Sequence, residues 1–323
     1  MIRDPVLVND WFVVARTSDL PVGGILRARV LGEDLVVWRS RNGDAMAWQD
    51  LCIHRGARLS LGWVSDDKLV CPYHGWEYDT SGRCVRIPAH PDQKPPEKAR
   101  VRVYRAVEKY GYIWVSLGNP SREVPRFPEW SDPSFRKIYC GPYRIKSSGP
   151  RAIENFLDVA HFPFVHTGIL GDPSKPEIPD YDVIKSEEGI IAKDIRVWQP
   201  NPDGTGVGKW ETYTYMVLRP LVAYFTKESG GKRFSIFYTV TPVEQTESIG
   251  WMIIAMNYAH EIPDDEIRRF QDKIVSQDVP VVESQRPELL PLDLQAELHL
   301  RSDRVSIAYR MWLRELGITF GTA

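Results

Sequence analysis

Long apolar runs are missing from this chain. No stretch approaches the roughly 20 residues that a membrane-spanning helix requires, and no basic segment leads into an apolar one at the N-terminus. A helical membrane protein is therefore excluded, and the cytoplasm is the expected location. Cysteine is scarce, with four in 323 residues, too few for a disulfide-stapled extracellular domain. Cys84 and Cys140 are expected as reduced, packed thiols. Charge of one sign is also lacking: 41 Lys and Arg face 43 Asp and Glu, a formal net charge of −2. Neither nucleic acid nor a membrane surface is thus expected as a general partner. There is no internal repeat and no low-complexity tract. A nucleotide-binding loop is missing too. Asp203-Gly204-Thr205-Gly206-Val207-Gly208-Lys209 fails the spacing of the P-loop and of the dinucleotide fingerprint, and Trp210 stands where a P-loop needs Ser or Thr. Following Pro200-Asn201-Pro202, it reads as a hairpin turn.

What the chain does have is a repeated pairing of cysteine with histidine. Cys52-Ile53-His54 is followed, after sixteen intervening residues, by Cys71-Pro72-Tyr73-His74. Two loops that each supply one thiolate and one imidazole form a cage for a [2Fe–2S] cluster, the cysteines on one iron and the histidines on the other. Replacing two thiolates by neutral imidazoles removes negative charge and raises the reduction potential, which defines a Rieske centre. Tetrahedral zinc is the competing reading, since two Cys and two His also suit it. Against zinc, each half mixes one Cys with one His, whereas a zinc finger groups its cysteines and its histidines. The continuations also read as turns around a cluster: Arg55-Gly56-Ala57 after the first loop, Gly75-Trp76, Tyr78 and Ser81-Gly82 after the second.

These residues resemble the Rieske domain of the Rieske non-haem iron oxygenases, a resemblance that implies a second, mononuclear iron site downstream. Glu154-Asn155-Phe156-Leu157-Asp158-Val159-Ala160-His161-Phe162-Pro163-Phe164-Val165-His166 matches the family pattern Asn-x-x-Asp-x-x-His-x(4)-His. On a regular helix, positions five apart point about 140° away from each other, so His161 and His166 could not share a metal. Pro163, which lacks an N–H, is expected to kink or end the helix and let them converge. Asp158, one turn before His161, is expected on nearly the same side. A facial triad needs one more carboxylate and leaves the other iron positions open. Pro263-Asp264-Asp265-Glu266 reads as a helix start with acids at its positive end. The apolar stripe Ile267, Phe270, Ile274 continues to Asp278, where a buried carboxylate needs a partner or a metal. Asp272 is expected on the charged, solvated side, and Glu283 beyond Pro280 is the runner-up ligand. The segment Gln277-Asp278-Val279-Pro280-Val281-Val282-Glu283 also looks like the family's acidic ligand segment, which favours Asp278.

The fold class expected is α+β. From about Trp11 to Val115, short apolar runs alternate with Gly, Asp and Asn turns, as in Leu35-Val36-Val37-Trp38 and Tyr112-Ile113-Trp114-Val115, which reads as a small antiparallel β domain. Four prolines between Asn119 and Pro133 mark a connector. The domains are drawn as a Rieske domain over 1–120, a connector over 121–137 and a catalytic iron domain over 138–323. The latter contains long alternating stretches (Trp210–Phe225, Phe234–Thr241, Trp251–Tyr258) that predict a broad antiparallel sheet, then two terminal helices. One carries Asp278 and the other starts near Asp303.

The resemblance covers nearly the full length and implies the chemistry. A separate NAD(P)H-dependent reductase, with or without a ferredoxin, supplies electrons through the cluster to Fe(II), where dioxygen is cleaved. The cluster of one subunit serves the iron of its neighbour, Asp158 matches the bridging acid between them, and lone α-subunit members are usually homotrimers. Asn155 matches a residue near the open iron positions, with a plain helix hydrogen bond as the other reading. Arg55, Arg58, Arg83, Arg86 and the basic run Lys94 to Arg105 could steer an acidic donor, and solvated surface charge explains them equally. Tyr213, Tyr215, Met252 and Ile254 either line an apolar pocket or pack the core. The overall look is that of the saxitoxin-tailoring hydroxylases and, more distantly, the dicamba and vanillate O-demethylases, through Arg86-Ile87-Pro88-Ala89-His90-Pro91, His161-Phe162-Pro163-Phe164 and the helix from Ser302-Asp303-Arg304 to Gly317. The expected function is monooxygenation of a small organic molecule, aromatic or heterocyclic: hydroxylation, or N- or O-demethylation with loss of formaldehyde. Ring cis-dihydroxylation is the second enzymatic reading. An electron carrier without oxygen chemistry is the alternative of another class.

Overall fold

In the computed structural model the described residues are 4–186, 189–202 and 206–323. They form two compact units, Met1–Val124 and Pro125–Ala323. The first opens with a short helix α1 (Pro5–Val8) and is otherwise β. Strands β1 (Phe12–Arg16), β2 (Ile25–Val30), β3 (Glu33–Arg39), β4 (Ala45–Gln49), β5 (Trp63–Ser65), β6 (Lys68–Val70), β7 (Glu77–Asp79), β8 (Cys84–Arg86), β9 (Val103–Lys109) and β10 (Tyr112–Ser116) make two sheets. One has the order β1-β10-β9-β4-β3-β2 and the other β5-β6-β7-β8, with every pair antiparallel. The apolar runs of β3 and β10 are buried on both faces, whereas β9 alternates between exposed and covered positions. One cysteine loop joins β4 of the larger sheet to β5 of the smaller, and the other joins β6 to β7 within the smaller sheet. Beneath them lies a core of Trp38, Trp48, Leu59, Leu69 and Tyr78, all fully buried.

The second unit is one seven-stranded antiparallel sheet with helices against it. Strands β11 (Arg136–Ile145), β12 (Asp182–Ser186), β13 (Gly189–Gln199), β14 (Lys209–Arg219), β15 (Val222–Ser229), β16 (Lys232–Glu244) and β17 (Glu247–Met256) take the order β11-β17-β16-β15-β14-β13-β12. Within the proline-rich stretch ahead of β11, Phe127 stacks on Phe237 at 5.1 Å and Glu129 accepts from the Tyr224 hydroxyl at 2.5 Å. The glycine-rich stretch Asp203–Lys209 falls partly outside the described residues, at 203–205. The strands on either side of it pair antiparallel, with Gln199 opposite Lys209.

Helices α2 (Gly149–Leu157), α3 (Phe162–Val165), α4 (Asp264–Ser284) and α5 (Arg304–Leu316) complete this unit. Ser148 caps α2 by accepting from the Arg151 N–H, and Pro150 stands in its first turn. Most of α2 is buried, including Arg151 and Glu154. Arg310 of α5 forks onto Glu154 at 2.5 and 2.7 Å, and Glu297 accepts from both Arg310 and Arg151. Two arginines and two glutamates thus tie α2 to the C-terminal helix. Helix α4 begins with Asp264, Asp265 and Glu266, acids that suit its positive end, and packs against β11. None of the described helices is long and apolar enough to cross a membrane.

Candidate metal centres and the cavity between helices and sheet

The two cysteine loops of the first unit close in the same way. In each, the cysteine N–H bonds the carbonyl five residues on (Cys52 to Ala57 at 2.8 Å, Cys71 to Trp76 at 2.9 Å). Its carbonyl accepts from the glycine four residues on (Gly56 at 2.9 Å, Gly75 at 3.0 Å). Both glycines need positive φ, 70° and 68°, which side-chain-bearing residues resist. The closure brings His54 and His74 together, ring centroids 4.6 Å apart, and stacks His54 flat on Trp76 at 4.5 Å. Cys52 and Cys71 are buried and adjacent. Burial and the neighbouring Cys52 push the Cys71 thiol up, while the backbone N–H groups of Tyr73 and His74 aim at its sulfur and favour the thiolate. The Tyr78 hydroxyl lies 3.1 Å from Cys52 Sγ, and His54 Nδ1 is buried without a hydrogen-bond partner.

This donor set does not converge as zinc ligands would. Among the described residues, the one group of three or more His, Cys, Asp or Glu ligand atoms within 4.8 Å of one another lies elsewhere. Tetrahedral zinc would hold four donors within that range, whereas a two-iron cluster spreads them. Two buried sulfurs, an orphaned imidazole nitrogen and N–H groups aimed at sulfur fit a [2Fe–2S] group.

The converging group is His161, His166 and Asp278. Helix α2 ends at Leu157, and Asp158 follows as its C-cap in extended backbone, ψ 132°. The one-turn helix α3 then starts after His161 and stops before His166. The expected kink at Pro163 is thereby corrected. The break comes before Asp158, and Pro163 occupies the first turn of α3, where a missing N–H leaves no bond unmade. The two imidazoles, freed from one helical screw, come to 5.1 Å between centroids. Asp278 of α4 faces them, with its Oδ1 3.0 Å from His166 Nε2 and 3.3 Å from His161 Nε2. That oxygen is buried and accepts no hydrogen bond of sound geometry. Three electron-pair donors that face one another without a proton aligned between them fit a cation.

The outer imidazole nitrogens are held differently. His161 Nδ1 lies 3.0 Å from Asp158 Oδ2, while His166 Nδ1 lies 2.9 Å from Gln277 Oε1. Both acceptors fix the tautomer that turns Nε2 inward. Burial opposes protonation of His161, but Asp158 and Asp278 outweigh it and push its pKa up to about 9. Burial likewise opposes ionisation of Asp278, and the imidazoles hold its carboxyl below the usual range. A cation at the Nε2 atoms takes the place of the proton. Glu283 stands apart and accepts the Lys146 N–H at 2.8 Å. Asp272 is not a solvated acid as expected, because the Tyr143 hydroxyl donates to it at 2.6 Å.

A cavity of about 230 Å³ adjoins the triad, roofed by α2 and α4 and floored by β14 to β17. Alternate sheet residues point into it, and Tyr213, Tyr215, Met252 and Ile254 are among them. Phe156 packs against Tyr215, Phe225 and Tyr238 within 4.8 to 5.8 Å. Polar groups are few. Asn155, in the last turn of α2, lines the cavity, and its backbone carbonyl accepts from the Asp158 N–H at 3.3 Å. Gln271 lies two turns before Asp278 on α4, and Lys227 rises from β15.

Residues 10–108 match the model of the Rieske [2Fe-2S] domain, and residues 145–317 match that of the vanillate O-demethylase oxygenase C-terminal domain. The methylxanthine N1-demethylase NdmA of Pseudomonas putida is 36% identical over 319 residues, 95% of this chain and 88% of that protein. The chain belongs to the Rieske non-haem iron oxygenases. The structure of Pseudomonas putida CBB5 NdmA with caffeine superposes with a TM-score of 0.83 at 32% identity, covering 96% of this chain and 91% of that one. A shorter likeness, 44% over 117 residues, links 36% of this chain to 20% of oxidoreductase NdmD of Pseudomonas putida.

As a Rieske oxygenase the protein uses a [2Fe–2S] cluster and a mononuclear iron, and oxygenates a small substrate with electrons from a separate reductase. The zinc and electron-carrier readings fall away, and the α+β class expected from the alternation is the observed one. Sequence reasoning missed Gln277, although it adjoins Asp278, and missed Lys227. A lone cation two positions beyond Phe225 on an inward-facing strand was a signal for the second.

Proposed function

We propose that this Rieske oxygenase demethylates a planar, methylated nitrogen heterocycle or arene by hydroxylating the methyl carbon. The observation that carries this reading is the ring-walled cavity opening on His161, His166 and Asp278. Its relatives along nearly the whole chain are methylxanthine demethylases. In the overall change, one oxygen atom of dioxygen enters the methyl C–H bond and the other leaves as water, with two electrons and two protons consumed. The hydroxymethyl product then releases formaldehyde and the N–H or O–H compound.

In this reading Cys52 and Cys71 hold one cluster iron, His54 and His74 the other, and His161, His166 and Asp278 hold the mononuclear iron. Once bound, that iron supplies dioxygen activation at its remaining positions. Asp158 keeps a proton on His161 Nδ1, and Gln277 does the same for His166. The packed rings of Phe156, Tyr213, Tyr215 and Phe225 form an apolar wall that a flat substrate lies against and that excludes water, while Asn155 and Gln271 offer amides to its polar edge. Asp158 also reaches the cluster histidine of a neighbouring subunit in a homotrimer, and the partner is a cytoplasmic NAD(P)H-dependent reductase or its ferredoxin. At the cluster face Arg55, Arg83 and the basic run Lys94 to Arg105 are the groups offered to such a donor. Arg58 is engaged by Asp34 and Asp50, and Arg86 by Glu77. Domain bounds of 1–120 and 138–323 with a connector between them complete the reading.

The test is oxygen uptake and formaldehyde release by the iron-loaded protein with a surrogate reductase, across methylxanthines, methoxyarenes and their unmethylated analogues. Formaldehyde in step with oxygen is expected. In Asp278→Ala, uptake should vanish and iron content fall by one atom per chain while cluster absorbance persists. Uptake that yields ring diols, or hydroxylated products that keep every methyl group, would sink the demethylase reading.

A further inference from the structure

We infer that Lys227 is the anchor for an oxyanion on the substrate ring, so that the preferred substrate is a methylated planar ring that carries a negative charge. This deepens the demethylase reading and rests on it. Among the described residues lining the cavity, Lys227 is the one lysine or arginine. It stands on the inward face of β15, directly opposite Tyr213 of β14 and Phe234 of β16. Its ammonium lies 5.8 and 5.7 Å from the centroids of those two rings.

The ammonium is poorly matched by the protein. Its one hydrogen bond is to Gln199 Oε1 at 3.5 Å, and it pairs with no carboxylate among the described residues. Gln199 is itself fixed, with its Nε2 donating to the Tyr213 hydroxyl at 2.8 Å and to the Leu170 carbonyl at 3.3 Å, so its oxygen is presented to the lysine. Glu211 acts on Lys227 only at longer range and is engaged by Lys209 at 3.6 Å. Burial holds the Lys227 pKa below the usual lysine value, with Glu211 opposing and Lys209 reinforcing the shift. A half-buried cation flanked by two ring faces and one amide oxygen is incompletely satisfied. An oxyanion in the cavity supplies the missing charge through a charge-assisted hydrogen bond. The flanking rings direct that oxyanion to lie in the plane of a stacked substrate. Carboxylate on an arene and ring oxyanion on a urate-type heterocycle share this chemistry.

The experiment is anaerobic titration calorimetry on the holoenzyme with two charge pairs of matched shape. One pair is para-methoxybenzoate with para-methoxybenzamide. The other is a dimethylurate with theobromine, the dimethylxanthine of the same methylation pattern. In at least one pair the anion is expected to bind about 10- to 100-fold tighter than its neutral partner, the value of one hydrogen bond to a charged group. Lys227→Met should erase that preference and Lys227→Arg should keep most of it. The pair that responds tells carboxylate from ring oxyanion. Equal binding within both pairs, binding of neither pair, or a preference that survives Lys227→Met overturns the assignment. Demethylation of neutral rings by a protein that shows no anion preference would leave the demethylase reading standing and remove the lysine. Anion binding that depends on Lys227, in a protein that yields no formaldehyde from any compound, would do the reverse.

Discussion

Each loop of the candidate cluster cage is closed by its own backbone, with a cysteine bonded to residues four and five positions on. The proposed iron triad of His161, His166 and Asp278 has no such local closure. His166 meets Gln277 across 111 positions, and the histidines owe their convergence to the end of one buried helix and the face of another. The cage therefore depends on turn chemistry and two glycines, while the triad depends on tertiary packing. A lesion that loosens the second unit should separate the two sites. A lesion inside a cysteine loop should touch the cluster alone.

The largest expected separation comes from Arg310→Met. Arg310 is almost fully buried, and its loss strands Glu154 in α2 without its two short bonds. Breaking a buried ion pair from one side costs about 3–5 kcal/mol. The second unit should melt earlier in calorimetry and release the mononuclear iron, while the visible spectrum of the cluster stays as it is. Simultaneous loss of both metals at one temperature would break the comparison.

The same contrast sets what could be read from the amino-acid order. The candidate cluster ligands Cys52, His54, Cys71 and His74 can be picked out from the sequence because their donor chemistry is packed into two short loops. The sheets were legible too, since strands such as β14 bury Tyr213, Tyr215 and Val217 in strict alternation. Asp278 was singled out as a candidate ligand by the apolar stripe of α4 together with the family resemblance, and it does lie beside His161 and His166. Relations between distant residues were not legible. The carboxylate of Asp272 reads as solvated until the Tyr143 hydroxyl is seen to face it. Nothing local announces that Glu154 and Arg310 meet, or that Gln277 turns toward His166. The end of α2 was misjudged because proline is a breaker only in a helix interior, and Pro163 opens a second helix instead.

The outer bonds of the two imidazoles sharpen the comparison at intermediate scale. Gln277→Leu removes the acceptor of His166 Nδ1 but none of the three inward-facing atoms. Loss of such an orienting bond lowers metal affinity or activity about 10- to 100-fold. Fe(II) titration should show that weakening, with the cluster potential unchanged. Asp158→Asn should weaken Fe(II) binding less, because an amide oxygen still accepts from His161 Nδ1. An Fe(II) affinity in Gln277→Leu equal to that of the parent would mean that packing alone orients His166.

The smallest effect lies in the cage and runs the other way. Burial and the Cys52 sulfur hold the Tyr78 phenol far above its ordinary pKa, so it stays a donor at every workable pH. With Cys52 as the proposed cluster thiolate, the Tyr78 hydroxyl 3.1 Å away is the donor, and because reduction adds negative charge to the cluster the bond favours the reduced state and raises the potential. Tyr78→Phe removes about 1 kcal/mol of that preference, which for one electron is roughly 40 mV. Voltammetry should find the potential lower by about that amount, with Fe(II) affinity at the triad untouched. A shift in the opposite direction would mean that the phenol does not donate to Cys52. A change at the triad would mean that the two sites are not built independently.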